Sequence, residues 1–412
     1  MSRPYCGIDF GTSNSAVCIG VNDRLSLAAI EGDAQTMPSA VFFNFETDAV
    51  TFGREAIAQY LDGYEGRLMR SLKSILGSSL IRETTQVGTS RKDFRAIIAL
   101  YIAELKRRAE GQAGERIEDV VMGRPVHFVD GDDEADARAE AELRGVAEAV
   151  GFKNIAFEYE PLAAARDHES RLSGEEVVLI VDIGGGTSDF SVLRLGAGQR
   201  QILANAGIHI GGTDFDTRLS LDTAMRDLGF RGKLKSGLDM PTQYYFQLST
   251  WHLINFMYTQ KAMAGVRQLH YLSGDRDKTA RLLEVVEKQA GHDIANRIEK
   301  AKIVLSDNDF AEVDFTAIHP GWHMTVTRDV LMNAVSGDVV KVVATAVDTV
   351  TERAGLEVGD VQTLFMTGGS TALPGFEAAM QAAFPRAKIS YGDRFSSVAS
   401  GLGLAARERF GD

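Results

Sequence analysis

Cysteine is nearly absent: Cys6 and Cys18 are the only two in 412 residues, and both sit in apolar runs. They read as small core hydrophobes of a reducing compartment rather than as metal ligands or a disulfide framework. An excess of positive charge is missing too, with 44 Lys plus Arg against 57 Asp plus Glu and a formal net charge of −13. Such a surface repels the phosphate backbone of DNA, so no nucleic-acid partner is expected. No run approaches the ~20 consecutive apolar residues that span a bilayer. The start, Met1 to Tyr5, runs into a glycine-rich motif without the apolar core of a signal segment. A cytoplasmic protein with no membrane partner is the expectation.

Other signatures are equally absent. The P-loop spacing does not occur, and the dinucleotide pattern appears only as Gly401-Leu402-Gly403-Leu404-Ala405-Ala406, inside a helical stretch rather than after a strand. His319 and His323 are four apart, but Pro320-Gly321 between them breaks the helix a zinc pair would need. Local motifs suggest no Ser-His-Asp or Cys-His arrangement. The balance of 44% hydrophobic and 25% charged residues excludes disorder, collagen and coiled coil. A chain of this length predicts about two or three domains that bury roughly three quarters of the unfolded surface, with no need of metal or disulfide for stability.

What is present is a pattern stated twice. Tyr5 to Phe10 reads as a strand, followed by a Gly-Thr-Ser-Asn turn and a second strand over Ala16 to Val21. Val177 to Asp182 reads as a strand again, followed by Gly-Gly-Gly-Thr and a strand over Phe190 to Leu193. Strands are further expected at Leu25 to Ile30, Ala40 to Phe45, Asp119 to Gly123, Gln201 to His209, Gln362 to Thr367 and Ala387 to Tyr391. Helices are expected at Arg91 to Arg108, Ala135 to Val150, Asp214 to Leu228 and Asp329 to Arg353, after Pro374, and from Phe395. The acidic run Asp130 to Glu134 caps the second of these helices. The alternation predicts an α/β protein of two related halves, 1–173 and 174–412, with a mostly helical insertion over about 229–291. The aromatic run Tyr244 to Trp251 in that insertion is either core packing of the inserted helices or a surface for a protein partner.

The two turns carry the chemistry. Asp9-Phe10-Gly11-Thr12-Ser13-Asn14 and Asp182-Ile183-Gly184-Gly185-Gly186-Thr187-Ser188-Asp189 each place an aspartate at a strand end, then glycine, then hydroxyl residues. Glycine lets the backbone approach a ligand closely, and successive N–H groups with a hydroxyl grip phosphate oxygens. A carboxylate beside them suits Mg²⁺, which keeps water and bridges to phosphates. Two copies opening two similar halves predict a cleft that clasps a nucleotide's phosphates. A third turn, Thr367-Gly368-Gly369-Ser370-Thr371, can cradle a nucleoside.

These segments resemble the nucleotide-binding domain of the seventy-kilodalton heat-shock chaperones, the DnaK type, within the actin-like ATPase superfamily. The likeness runs through Gly7 to Ser15, Leu72 to Gly77, Gly123 to Val126, Glu160 to Ala165, Asp182 to Asp189, Gly211 to Asp216, Glu299 to Lys302 with Leu305-Ser306, and Gly368 to Thr371, in the family's order. The chain is similar in particular to short bacterial members without a peptide-binding domain, the YegD type, and it ends soon after Arg409-Phe410. The resemblance implies a two-lobed fold of RNase H-like halves that binds ATP or ADP with Mg²⁺ and hydrolyses ATP slowly as a conformational switch.

The same resemblance implies roles. Asp9, Asp182 and Asp189 would hold hydrated Mg²⁺ or orient the attacking water; Thr12, Ser13 and Thr187 would contact phosphates. Lys73 would be the catalytic lysine, and Glu160 would position water and relay closure. Gly11, Asn14, Gly184, Gly185, Gly186, Gly211, Gly212, Thr213, Glu299, Lys302, Ser306, Gly368, Gly369 and Ser370 would complete the nucleotide site. Two family arginines that sandwich adenine are replaced by Ile303 and Ala372, and Thr213 stands where the family has glutamate. Loss of both arginines weakens ATP by on the order of ten- to a thousandfold, so weaker or less adenine-selective binding is expected. An actin-like filament protein, a small-molecule kinase of the same fold and a nonhydrolysing nucleotide scaffold are the alternatives.

Overall fold

In the first half the elements run β1 (Tyr5–Phe10), β2 (Asn14–Val21), β3 (Arg24–Leu27), β4 (Thr36–Pro38), β5 (Ala40–Asn44), β6 (Val50–Phe52), α1 (Gly53–Leu61), β7 (Gly66–Arg70), β8 (Thr84–Val87), β9 (Ser90–Asp93), α2 (Phe94–Ala113), β10 (Asp119–Arg124), α3 (Asp133–Ala149), β11 (Asn154–Tyr159) and α4 (Glu160–Glu169). In the second they run β12 (Glu176–Ile183), β13 (Ser188–Gly196), β14 (Gln199–Ile208), α5 (Gly212–Asp222), α6 (Ala224–Asp227), α7 (Gln243–Ser249), α8 (Gln260–Leu272), α9 (Arg276–Glu287), α10 (Gly291–Asp307), β15 (Phe310–Asp314), β16 (His323–Thr327), α11 (Arg328–Asp348), β17 (Thr363–Thr367), α12 (Phe376–Ala383), β18 (Lys388–Tyr391) and α13 (Ser397–Phe410). This computed structural model describes residues 3–411 except 23, 77, 130–131, 170–173, 197–198 and 393–395. Ser173 at the expected boundary, Asp130 and Gly131 of the acidic run, Gly77, and Phe395 as the start of the last helix lie outside the described residues.

The repeat seen in the sequence is a repeat of topology. One sheet has the order β11-β10-β1-β2-β3, with β4 also on β2, and the other has β14-β13-β12-β17-β18. In both, the first strand pairs antiparallel with the strand after its glycine turn, which pairs antiparallel with the next, and two parallel strands follow on the other side. A tight turn can only reverse a strand, whereas a parallel neighbour needs a crossover, here α3 between β10 and β11 and α12 between β17 and β18. Strand β1 and the middle of β12 are almost wholly buried, as strands covered on both faces must be. This is the actin-like ATPase α/β fold.

Each half has its own core, and a third apolar cluster joins them. It contains Ala163, Ala164 and Ala165 of α4, Val398, Leu402 and Ala406 of α13, Tyr5 and Val121 from the first sheet, and Val178, Ile180 and Phe365 from the second. The glycines of α13 explain the close packing there. A Cβ on Gly401 would strike the Ala163 carbonyl, and one on Gly403 would strike the Cys18 side chain. A Cβ on Gly7 of β1 would in turn strike the α13 backbone. The dinucleotide-like spacing is thus a packing seam. It fixes α4, whose first residue is Glu160, between the two sheets.

Several boundaries differ from expectation. Strand β3 stops at Leu27 instead of reaching Ile30. The expected helix Asp214 to Leu228 is broken at Thr223, whose φ of −124° and ψ of −97° are not helical and whose hydroxyl donates to the Leu219 carbonyl at 2.5 Å. Helix α11 ends at Asp348 and continues as a single π turn over Thr349–Arg353. Together 328–353 are long and apolar enough to cross a membrane, but Leu331, Val335, Val342, Ala346 and Val350 lie in the core of the second half. The insertion is helical through α7, a 3-10 stretch Trp251–Tyr258, α8 and α9. His319 and His323 do not meet as a pair: His319 Nδ1 lies 2.6 Å from Glu284 Oε2, while His323 is exposed on β16.

Candidate functional site

The ends of β1 and β12 bring the two glycine turns together. In the first turn Ser39 Oγ donates to the Gly11 carbonyl at 2.6 Å and lies 3.0 Å from Ser15 Oγ, and a Cβ on Gly11 would strike the Asn14 carbonyl. In the second, Gly184 N–H donates to the Thr187 carbonyl at 2.9 Å, and Thr187 Oγ1 donates to Asp189 Oδ2 at 2.9 Å. The Ser13 side chain occupies the place where a Cβ of Gly185 would lie, so turns from opposite sheets touch.

The loop opening α5 lies beneath the second turn. Gly212 N–H donates to the Gly184 carbonyl at 3.0 Å, and Thr213 donates to the Gly185 carbonyl through N–H at 2.7 Å and through Oγ1 at 2.8 Å. A Cβ on Gly211 would strike the Gly186 nitrogen and the Gly185 carbonyl, so only glycine lets this loop lie against the turn. The third turn joins the same group, because Ser370 Oγ donates to the Gly184 carbonyl at 3.1 Å. Gly368, at φ +82°, and Gly369 follow β17; at Gly368 a side chain would strike the Asp182 carboxylate and the Ile183 carbonyl. From α10, Lys302 Nζ donates to the Gly212 carbonyl at 3.0 Å and pairs with Asp216 at 2.8 Å. Glu299, Lys302 and Ser306 are spaced along one face of α10, and Ile303 is 58% exposed beside them.

A charged cluster sits beside the turns. Ser71, held at φ +57°, turns the chain out of β7 into one 3-10 turn, Leu72–Ile75. That turn delivers Lys73 to Glu160, and the pair's side chains are only 10% and 17% exposed. Burial opposes the lysine's charge, but Glu160 foremost, then Asp9 and Asp189, outweigh it and hold the pKa above the ordinary value. Asp9 is pushed up to about 7, first by burial and then by Glu160, with Lys73 opposing. Asp182 is pushed up to about 8 by burial, then by Asp189, Glu160 and Asp9. One lysine thus faces four carboxylates, and the site is short of positive charge.

Hard carboxylate oxygens short of a cation fit Mg²⁺. Among the described residues no three acidic, imidazole or thiol groups converge closely enough to ligate one ion directly.

Sequence reasoning missed several residues around this cluster. Asp216 is raised to about 6 by burial, with Lys302 opposing and Glu299 adding to the shift. Arg70, three residues before Lys73, is lowered by burial and supported by the charges of Glu299 and Asp216. The Gly-Gly-Thr-Asp-Phe-Asp run hinted at Asp216; nothing local marked Arg70. In the aromatic run, Tyr245 and Leu248 are fully buried in the core, Phe246 faces outward, and Trp251 turns toward Arg70. A surface cavity of about 690 Å³ lies away from this cluster, along β11 and the end of α13. Its Arg124 is already paired with Asp136 and Glu140, so the converging turns and carboxylates remain the stronger site.

The family model described as Hsp70 protein matches residues 5–233 and 269–407 and leaves the segment 234–268 outside the match. A chaperone protein DnaK of Thermosipho africanus is 27% identical over 379 residues, covering 89% of this chain and 53% of the relative. The chain therefore spans about half the length of that curated relative. Matched over most of its length, the chain belongs to the Hsp70 family.

Proposed function

We propose that this chain binds Mg-ATP between its two sheets, hydrolyses it slowly, and uses the accompanying closure as a chaperone-type conformational switch. The observation that carries the reading is the meeting of Lys73, Glu160, Asp9, Asp182 and Asp189 beside two touching glycine turns. The division into lobes 1–173 and 174–412, with the insertion 229–291, belongs to the same proposal. In it, Gly184 closes the second turn through its own N–H, backbone N–H groups of Gly11 to Asn14 and Gly185 to Thr187 hold the phosphates, and Thr12, Ser13 and Thr187 add hydroxyls. Lys73 supplies a fixed positive charge to the transferred phosphoryl group, and Glu160 holds Lys73 and orients the attacking water. Asp9, Asp182 and Asp189 would hold Mg²⁺ through its water, and the ion would neutralise phosphate charge there. Glu299, Lys302 and Ser306 from α10, with Gly211 to Thr213 and Gly368 to Ser370, form the nucleoside side.

The base side is apolar where Ile303 and Ala372 stand, so recognition there rests on packing. ATP and GTP are expected to bind within about tenfold of each other. Calorimetric titration with ATP and Mg²⁺ tests the reading. Saturable binding that disappears in Gly185→Val, where the new side chain would fall on Ser13, and weakens in Thr187→Ala supports it. No heat at millimolar ATP overturns it.

A further inference from the structure

The polar groups that line the nucleoside side of the cleft are spent inside the protein. Lys302 Nζ donates to the Gly212 carbonyl at 3.0 Å and pairs with Asp216 at 2.8 Å. The Thr213 hydroxyl donates to the Gly185 carbonyl at 2.8 Å, and the Ser370 hydroxyl to the Gly184 carbonyl at 3.1 Å. Glu299 is one of the two carboxylates whose charge supports Arg70. Ile303, more than half exposed, offers apolar surface that any base can cover. Ser306 offers a hydroxyl, which donates or accepts as its partner requires and so tells no base from another. Strong selection of one nucleoside needs polar groups that are left unpaired when the wrong ligand binds, and here those groups are already paired.

The same bonds shape the phosphate side. A trans peptide is planar, with its N–H opposed to the preceding carbonyl, and no peptide among the described residues is cis. The Gly184 carbonyl is held by the Gly212 N–H and by Ser370, so the Gly185 N–H points away from both. The Gly185 carbonyl is held twice by Thr213, through N–H at 2.7 Å and through Oγ1, so the Gly186 N–H points away from α5 as well. Among the described residues neither N–H has an acceptor in the protein. Two successive amides fixed with their positive ends outward form an anion-binding concavity, and bracing them in advance lowers the cost of binding.

We propose that the cleft selects its ligand by the triphosphate chain and not by the nucleoside, so that inorganic tripolyphosphate and nucleoside triphosphates of any base or sugar, each with Mg²⁺, bind alike. Thr213 is the positioning residue for this choice, because it spends its hydroxyl on the second glycine turn instead of on a sugar. This rests on the cleft being the nucleotide site, and it widens the ligand class of that site from ATP to magnesium triphosphates.

The test is calorimetric titration of the full chain with ATP, deoxy-ATP and inorganic tripolyphosphate, each with Mg²⁺. All three are expected to bind within about tenfold of one another. Thr213→Val keeps the N–H bond and the side-chain shape but loses the hydroxyl bond, and should weaken all three by the same factor, about three- to tenfold. Thr213→Glu puts an acceptor-only group where a donor braced the turn. Tripolyphosphate should then weaken further than ATP, whose sugar hydroxyls can donate to the new carboxylate. The ratio of the two affinities is the readout, since a loss of folding alone would move both together. A preference of the unaltered chain for ATP over tripolyphosphate by more than about tenfold overturns this inference and leaves the cleft reading standing. Unchanged affinities in Thr213→Val overturn the role of Thr213. Failure of the unaltered chain to bind any of the three overturns the cleft reading, and this inference with it.

Discussion

The two glycine turns share a sequence logic but not an environment. The first is held by its own half: Ser39 grips the Gly11 carbonyl, Gly11 has no room for a side chain against Asn14, and Asp9 lies within reach of the Lys73 charge. The second borrows its neighbours from farther away, with Ser13 against Gly185, Thr213 and Ser370 on its carbonyls, and Asp189 and Asp9 raising Asp182. Gly186 has no atom near the place of a Cβ. One turn is therefore fixed from within its own half; the other is fixed by residues from several other elements, with open space left at Gly186. The same strand–turn–strand pattern occurs twice, in different surroundings.

Removing the cation should have the largest effect on turnover. Lys73→Ala leaves Glu160, Asp9 and Asp182 facing one another, and single-turnover hydrolysis is expected to fall by about 10²–10³ while ATP still binds. The same change should destabilise the ligand-free protein by about 3–5 kcal/mol in denaturant titration, because it strands Glu160 with no partner for its buried charge. Neutralising the anionic turn should act in the opposite direction on stability. Asp182→Asn is expected to stabilise the ligand-free protein by about 1–3 kcal/mol, relieving a carboxylate whose pKa is pushed up to about 8. Calorimetry at varied Mg²⁺ should show that its ATP affinity no longer depends on the ion.

A smaller effect is expected from pH. Asp9 and Asp182 titrate near 7 and 8 in the folded chain against 3.8 for an unperturbed aspartate, so the folded form binds their protons more tightly. Their contribution to stability is complete below about pH 4 and is lost as pH rises through 7 and 8. The melting temperature of the ligand-free protein should fall over that window, and Asp182→Asn should flatten the fall. The smallest change is Gly186→Ala. With open space at that position, stability should stay within about 0.5 kcal/mol by chemical denaturation. Any loss of ATP affinity in the same variant would place a phosphate against that glycine and sharpen the contrast between the turns.

Much of this was legible in the order of residues. Strand, glycine turn and strand at Tyr5 to Val21 and again at Val177 to Leu193 follow from short continuous apolar runs and from turn chemistry, both local properties, and they foretold the paired sheets. Lys73 and Glu160 were legible only through family resemblance, since a lysine in a short turn and a glutamate before proline carry no local mark of their meeting. The break at Thr223 was missed because the apolar spacing runs on through it, while the interruption is set by packing and a side-chain bond to Leu219.

The sequence by itself determined the elements, the repeat and the chemistry of the glycine turns, because φ/ψ preference, apolar period and side-chain type act over a few residues. Only the tertiary structure decided which charges share a space. It brought Lys73 to Glu160 across 87 residues and Tyr60 to His292 across 232. Electrostatic and aromatic contacts depend on distance through space, and that distance is fixed by how α4 and α13 pack between the two sheets.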